Sequence, residues 1–353
     1  MQKRNIPGSK RLQWIDILKA FAMVGVILVH FNNAWSSPIN ILSKISTLGA
    51  KCPQLFFIIS AYLTWNGLEK NDNNWKLFYE KRIIRIAPLF YIGIIVSAII
   101  PYFRLTDISA ANWVSHFLFF NWINPVWINS IMGTEWYIAD LALFYILTPL
   151  LWKIVRNLKC CLFLLSCSVI ISSSTLILYN NLIDSNNILI EMYFNTFIFI
   201  HQFPVIMMGI TLFYLIKELS CKELWNLLFI TGIVITSITV IFIIKHLDKR
   251  YITNSLIAGL LFSWLFLLAF QMRDLFEKNV FKLLAFIGMH SFGIYCFHQI
   301  VINCVLTVIS QRNFCIWCST LGLIVLISIL VGYLMEKIQG NLMKKFISFL
   351  AKL

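Results

Sequence analysis

WIDILKAFAMVGVILVHF, residues 14–31, is the stretch whose reading decides the fold. It is long and apolar enough to cross about 30 Å of hydrocarbon as a helix, yet it carries Asp16, Lys19 and His30. Ionisable groups are expensive in hydrocarbon unless they meet a partner or a wet cavity, so their presence points to function. Lys19 and His30 stand eleven residues apart. At 3.6 residues per turn this separation closes to within about 20° of three full turns, so the two side chains share a face, about 16 Å apart along the axis. That face is expected to line a working cavity, with the rest of the chain built around it.

The remaining sequence supplies the container. The chain has 353 residues, 59% hydrophobic and only 12% charged, and its mean hydropathy is +0.81. No soluble core hides that much apolar surface, so lipid must be its solvent. Ten spans are expected, at 13–33, 52–68, 84–103, 134–155, 160–180, 193–216, 225–245, 252–271, 281–304 and 315–336. The fold class is therefore an all-α polytopic membrane protein, one transmembrane domain over residues 1–353, with no repeat of solenoid period. With the N-terminus in the cytoplasm, 21 of the 29 Lys and Arg residues fall inside and seven outside, Lys19 lying in the membrane. The positive-inside rule thus places both termini in the cytoplasm, against the Lys245–Arg250 loop. Residues 1–12 read as a cytoplasmic N-terminal segment. Residues 340–353, with Lys344, Lys345 and Lys352 among Leu342, Phe346, Phe349 and Leu350, read as an amphipathic tail on the inner leaflet.

Composition also excludes classes. The formal charge of +14 is spread over short loops, with no contiguous basic domain, so a nucleic-acid partner is not expected. The first apolar run resembles a signal peptide, but it has the length of a span and a polar face that a discarded segment would not need. The nine cysteines form no framework, and Cys315 and Cys318 make a lone C-x-x-C without the context of a redox fold. No His, Cys and carboxylate cluster has metal-ligand spacing. The outer connection from Arg104 to Glu135 is rich in Trp and Asn, which suits an interfacial aromatic belt and also the grip of a sugar-like acceptor.

A second basic group gives the first helix a purpose. In FYEKRIIRIAPLFY, Arg82 and Arg85 lie three residues apart on one helical face at the cytoplasmic entrance of the third span. With Lys19 at similar depth they form a plausible clamp for a polyphosphate, although Asp16 at i−3 also offers Lys19 a simple ion-pair role. A ligand with phosphates inside and its reactive end near His30 is long and thin, as coenzyme A is. His30 can act as a general base or pack as a neutral ring. His298, with Tyr295 one turn away, has the same two readings, while His116, His201, His246 and His290 read as packing or loop residues.

Five ordered segments carry a family resemblance: WIDILKAFAMVGVILVH, QLFFIISAYL at 54–63, KRIIRIAP at 81–88, EWYIADLALFYILTPLL at 135–151 and SFGIYCFHQ at 291–299. Together they resemble the acyltransferase-3 family of integral-membrane acyltransferases, in its stand-alone form without an appended esterase-like domain. The resemblance implies transfer of an acetyl or other acyl group from cytoplasmic acyl-CoA to a hydroxyl of a surface polysaccharide or its lipid-linked precursor. It implies a multi-pass protein of a bacterial cytoplasmic membrane, with a homo-oligomer left open. The family's Arg-x10-His motif falls on Lys19 and His30, and its paired arginines on Arg82 and Arg85. Lysine keeps the charge at position 19 but loses the bidentate fork, so the clamp leans on the two arginines. The family's SGYL glycine is Ala61, and the glutamates of its tryptophan motif are absent at Leu141 and Ala142, beside Asp140.

The resulting expectation is an acyl-CoA held by Arg82, Arg85 and Lys19, with Asp16 and Tyr295 as structural support. His30 is the group that deprotonates the acceptor or takes the acyl group itself, and His298 is a second acid or base. An exporter of a lipid-linked glycan or small molecule is the alternative, but no inverted repeat or matched pair of broken spans supports it.

Overall fold

The structure is a computed structural model that describes residues 12–71, 73–100, 108–182, 187–232, 253–309 and 313–350, with side chains described as far as 342. No strand occurs among the described residues. The helices are α1 Gln13–Ala34, α2 Asn40–Thr47, α3 Cys52–Lys70, α4 Trp75–Ile99, α5 Ala110–Phe117, α6 Trp136–Ile154 and α7 Leu158–Leu182. They continue with α8 Ile188–Met192, α9 Phe199–Glu218, α10 over residues 221–232, α11 Asn254–Gln271, α12 Arg273–Phe276, α13 Lys282–Met289, α14 Ser291–Leu306 and α15 Phe314–Leu350.

Among the described residues seven helical stretches are long and apolar enough to cross a membrane, and an eighth if the bent pair α13 and α14 counts as one span. The chain is a multi-pass helical membrane protein. The span expected at 52–68 is α3, which falls outside the seven because it carries Gln54, Ser60, Thr64 and Asn66 among its apolar residues. The span expected at 225–245 is helical as far as 232, and its remainder lies outside the described residues. The basic loop at Lys245 to Arg250, Lys352 and the N-terminal basic residues also lie outside them.

The helices divide into an inner and an outer set. The most apolar stretch of α1 is 72% buried within the protein, as is that of the run from α8 through α9, against 22% in α7 and α15. α1 packs on α3, α11, α13 and α14, and α3 packs on α9 and α11. By contrast α7 turns Phe163, Ile170, Ile171 and Leu178 outward, as α15 turns Leu326 and Leu330, the side chains that lipid would cover. Trp317 at the start of α15 donates its indole N–H to the Trp35 carbonyl at 3.0 Å, tying this outer helix to the end of α1.

The span expected at 84–103 is α4, which begins nine residues earlier at Trp75 and so carries Arg82 and Arg85 within it. Two further elements differ from the sequence reading. The span expected at 281–304 is broken at His290 and bends by 65° between α13 and α14. The break follows from packing: Gly288 on α13 lies against the main chain of Asp16, where any Cβ would overlap the Asp16 carbonyl. This brings α13 across the first turns of α1, while Glu336 of α15 accepts from the Gly293 N–H at 3.0 Å and from His290 Nδ1 at 2.6 Å. The carboxylate thus satisfies a main-chain donor that the first turn of α14 leaves open. The second difference is at the C-terminus, where α15 runs on through Gly340 to Leu350 without starting a separate tail helix.

Gly288→Val is expected to lower the thermal midpoint of the detergent-solubilised protein, or its folded yield, by the equivalent of about 1–3 kcal/mol of overpacking. Gly322→Ala, where an added Cβ meets nothing within 4 Å, should leave it unchanged or slightly raised in the same melts.

Candidate active site

The early turns of α1 place Asp16 and Lys19 on its cavity face, where Lys19 Nζ donates to Asp16 Oδ1 at 3.0 Å. Both are buried, Lys19 retaining 8% of its surface. Burying an ammonium without a partner is costly, and the i, i+3 carboxylate of Asp16 supplies that partner. The pair borders a cavity of about 690 Å³ that reaches Asn66 and Lys70 on α3, His290 at the helix break and Glu336 on α15.

On α4, Arg82 and Arg85 approach the same space. Arg82 Nη2 donates to Thr64 Oγ1 at 3.1 Å, and its guanidinium stacks over the Tyr145 ring at 4.9 Å and the Phe78 ring at 5.5 Å. These contacts fix a planar fork while leaving its edge available, an arrangement lysine could not copy. Arg85 makes no ion pair among the described residues and is exposed. It borders the large cavity, a side pocket of about 230 Å³ at the elbow between α3 and α4, and a narrow neighbouring space of about 50 Å³ that shares Lys19, Leu63 and Arg85 with the large cavity. Lys19, Arg82 and Arg85 all border that space, so three helix-borne residues with basic side chains, from α1 and α4, converge on one narrow passage.

The passage ends on Tyr137 and Tyr295, whose rings lie 5.2 Å apart. Beyond them sit the histidines. The His298 ring is 5.6 Å from Tyr295 and 5.1 Å from His30, tilted by 56° to it. His298 is fully buried; His30 is half-buried. His298 Nδ1 lies 2.7 Å from the Tyr295 carbonyl, and because a carbonyl only accepts, Nδ1 carries the proton. In the neutral ring the lone pair is then on Nε2, which has no hydrogen-bond partner among the described residues. His30 borders none of the three cavities: Tyr295 and His298 stand between it and the passage. Chemically the arrangement is a basic, elongated chamber at one end and paired imidazoles at the other.

Other sites differ in kind. His201 is tied to Ser172 Oγ at 2.9 Å and to the Phe194 carbonyl at 2.8 Å, a structural role. His246 lies outside the described residues. Asp140 is fully buried, with both carboxylate oxygens unpartnered among the described residues, and borders none of these cavities. His290 and Glu336 line the large cavity although nothing in their spacing, 46 residues apart, announces a pair. The described part of the connection between α4 and α6 is a folded cap in which Asn112, Asn121 and Asn129 bond to Ser130, the Ile128 carbonyl and the Trp136 N–H respectively. Its polar residues therefore hold the loop's own shape. Among the described residues no group of three His, Cys, Asp or Glu could hold a metal ion.

Residues 12–333 match the family model of the acyltransferase domain. A peptidoglycan O-acetyltransferase of Listeria monocytogenes is 28% identical over 167 residues, covering 42% of this chain and 25% of that protein. The chain spans about a quarter of the length of this curated relative. No solved structure matches.

The Lys19–Asp16 contact is measurable apart from any activity. Lys19→Met and Asp16→Asn should each lower the thermal midpoint in detergent. The double variant should lose less than the sum, with a coupling of about 0.5–3 kcal/mol in the cycle.

Proposed function

We propose a function from one premise, that the chain belongs to the acyltransferase family whose domain it matches over residues 12–333. In this reading the protein moves an acyl group, acetyl in the first instance, from acyl-CoA on the cytoplasmic side to a hydroxyl of a surface glycan or its lipid-linked precursor. It would work in a bacterial cytoplasmic membrane with both termini inside. The relative that matches is named for O-acetylation of peptidoglycan, which supports an acetyl group and a glycan acceptor.

One observation carries the reading: Lys19, Arg82 and Arg85 border a single passage lined by Tyr295, whose ring lies 5.6 Å from that of His298, itself 5.1 Å from that of His30. Guanidinium groups pair with phosphate oxygens bidentately, and a chamber of about 690 Å³ falls in the size range of small-molecule sites. A long, thin donor with an anionic end fits such a space. Its phosphates would lie against the arginines and, once the rings of Tyr137 and Tyr295 move aside, its thioester would reach along the roughly 16 Å of α1 between Lys19 and His30.

At the far end His30 takes the proton of the acceptor hydroxyl. The oxygen attacks the thioester carbonyl carbon, a C–O bond forms, the C–S bond breaks, and the departing thiolate takes the proton from the imidazolium. His298, with Nδ1 held by the Tyr295 carbonyl, presents Nε2 as a second proton acceptor in the same layer. The fixed positive side chains hold the donor so that the reaction is effectively unimolecular once the acceptor arrives.

The test uses the full chain in proteoliposomes with labelled acetyl-CoA and, in the host, the O-acyl content of surface glycans. His30→Ala is expected to lower turnover by about 10²–10⁴-fold, the range of a lost general base. Arg85→Ala should mainly raise the KM for the donor. Unchanged acylation in both well-expressed variants overturns the proposal.

A further inference from the structure

The outer cap contains a buried carboxylate that the acyl-transfer reading leaves without a role. Glu135 is fully buried and its two oxygens accept three main-chain N–H groups: Ile131 at 2.8 Å, Met132 at 2.5 Å and Thr134 at 2.8 Å. These donors converge because the chain reverses through Gly133 at φ +84°, a left-handed conformation that favours glycine. Behind the carboxylate, His116 of α5 is fully buried, its Nε2 3.6 Å from Glu135 Oε1 and its Nδ1 2.9 Å from the Asn112 carbonyl. A carboxylate with this many main-chain donors fixes its turn far more tightly than a loop fixes itself.

What the turn presents is the Thr134 carbonyl, which accepts the Tyr295 hydroxyl at 2.6 Å. Tyr295 is the residue that sets His298, through its ring at 5.6 Å and through its own carbonyl on Nδ1. The His298 ring in turn lies 5.1 Å from that of His30, tilted by 56° to it.

We propose that Glu135 is a positioning residue for the histidine pair: it holds the turn 131–134, whose Thr134 carbonyl anchors Tyr295 and thereby the ring of His298. Glu135 touches no reacting atom in this scheme. The proposal rests on the reading of His30 and His298 as the proton-handling groups, and its consequence is that the outer cap governs the geometry of chemistry carried on the spans.

Tyr295→Phe removes only the hydroxyl, and Glu135→Gln replaces one carboxylate oxygen by an amide donor facing N–H groups. Each is expected to lower kcat by about 10–100-fold, as small misplacements of reacting groups do, with the donor KM unchanged. Because both act on one link, the double variant should be no slower than the slower single one, and Tyr295→Phe should change the pH dependence of kcat. A second readout needs no turnover: modification of the folded protein by diethylpyrocarbonate, mapped by mass spectrometry, should spare His298 in the wild type and reach it in both variants.

Multiplying rather than overlapping losses, or a kcat per folded molecule unchanged in Glu135→Gln while His30→Ala is inactive, overturns the positioning role and leaves the acyltransferase reading standing. Absence of acyl transfer in the wild type overturns that reading instead. The modification pattern then still decides the positioning role, and a His298 equally protected in wild type and variants overturns it.

Discussion

A charge cannot lie within a membrane protein without something to answer it, and much of this architecture is an answer to Lys19. The ammonium sits on a deeply buried helix, held by Asp16 one turn before it, and burying either group alone would be costly. Around that pair the chain leaves a chamber instead of a packed core. α13 is laid across the start of α1 through Gly288, α15 contributes Glu336, and α4 brings Arg82 and Arg85 from the far wall. The apolar helices outside them, α7 and α15, present their side chains to lipid and seal the polar interior from it.

The interior changes in chemistry along its length. Lys19, Arg82 and Arg85 border the passage, the His30–His298 pair lies beyond it, and the two tyrosines Tyr137 and Tyr295 stand between. Tyr295 belongs to both regions. Its ring closes the passage, its carbonyl sets the tautomer of His298, and its hydroxyl is fixed from outside by Thr134.

The features written in local pattern were legible in the sequence. Hydropathy located seven of the ten expected spans among the described residues, and an eighth as a bent pair, and the eleven-residue interval from Lys19 to His30 places both on one face of a continuous helix because helical geometry is fixed. The three-residue interval did the same for Arg82 and Arg85. What stayed hidden depends on contacts between residues distant in sequence. The bend at His290 arises from a glycine meeting a main chain some 270 residues away, as Gly288 meets Asp16, and no window around 281–304 contains that information. His290 with Glu336 is hidden for the same reason. Glu135 stood in a quoted motif, EWYIAD, yet its role comes from main-chain donors that precede it by one to four residues in a non-repetitive turn. Only the nearby Gly133 hinted at that geometry. His116 and His201 both resemble buried packing histidines in sequence, and the difference between them is which acceptor each one meets.

The break between α13 and α14 has an evolutionary consequence. In a continuous helix one inserted residue rotates everything after it by about 100°, so every position is phase-locked to every other. Between Lys19 and His30 the helix is unbroken, and their interval cannot drift without turning one of them away from the shared face. At His290 that phase is interrupted. A residue gained or lost in α14 before His298 would turn that ring away from His30, whereas one in α13 would leave the phase of α14 intact but shift Gly288 from its seat against Asp16.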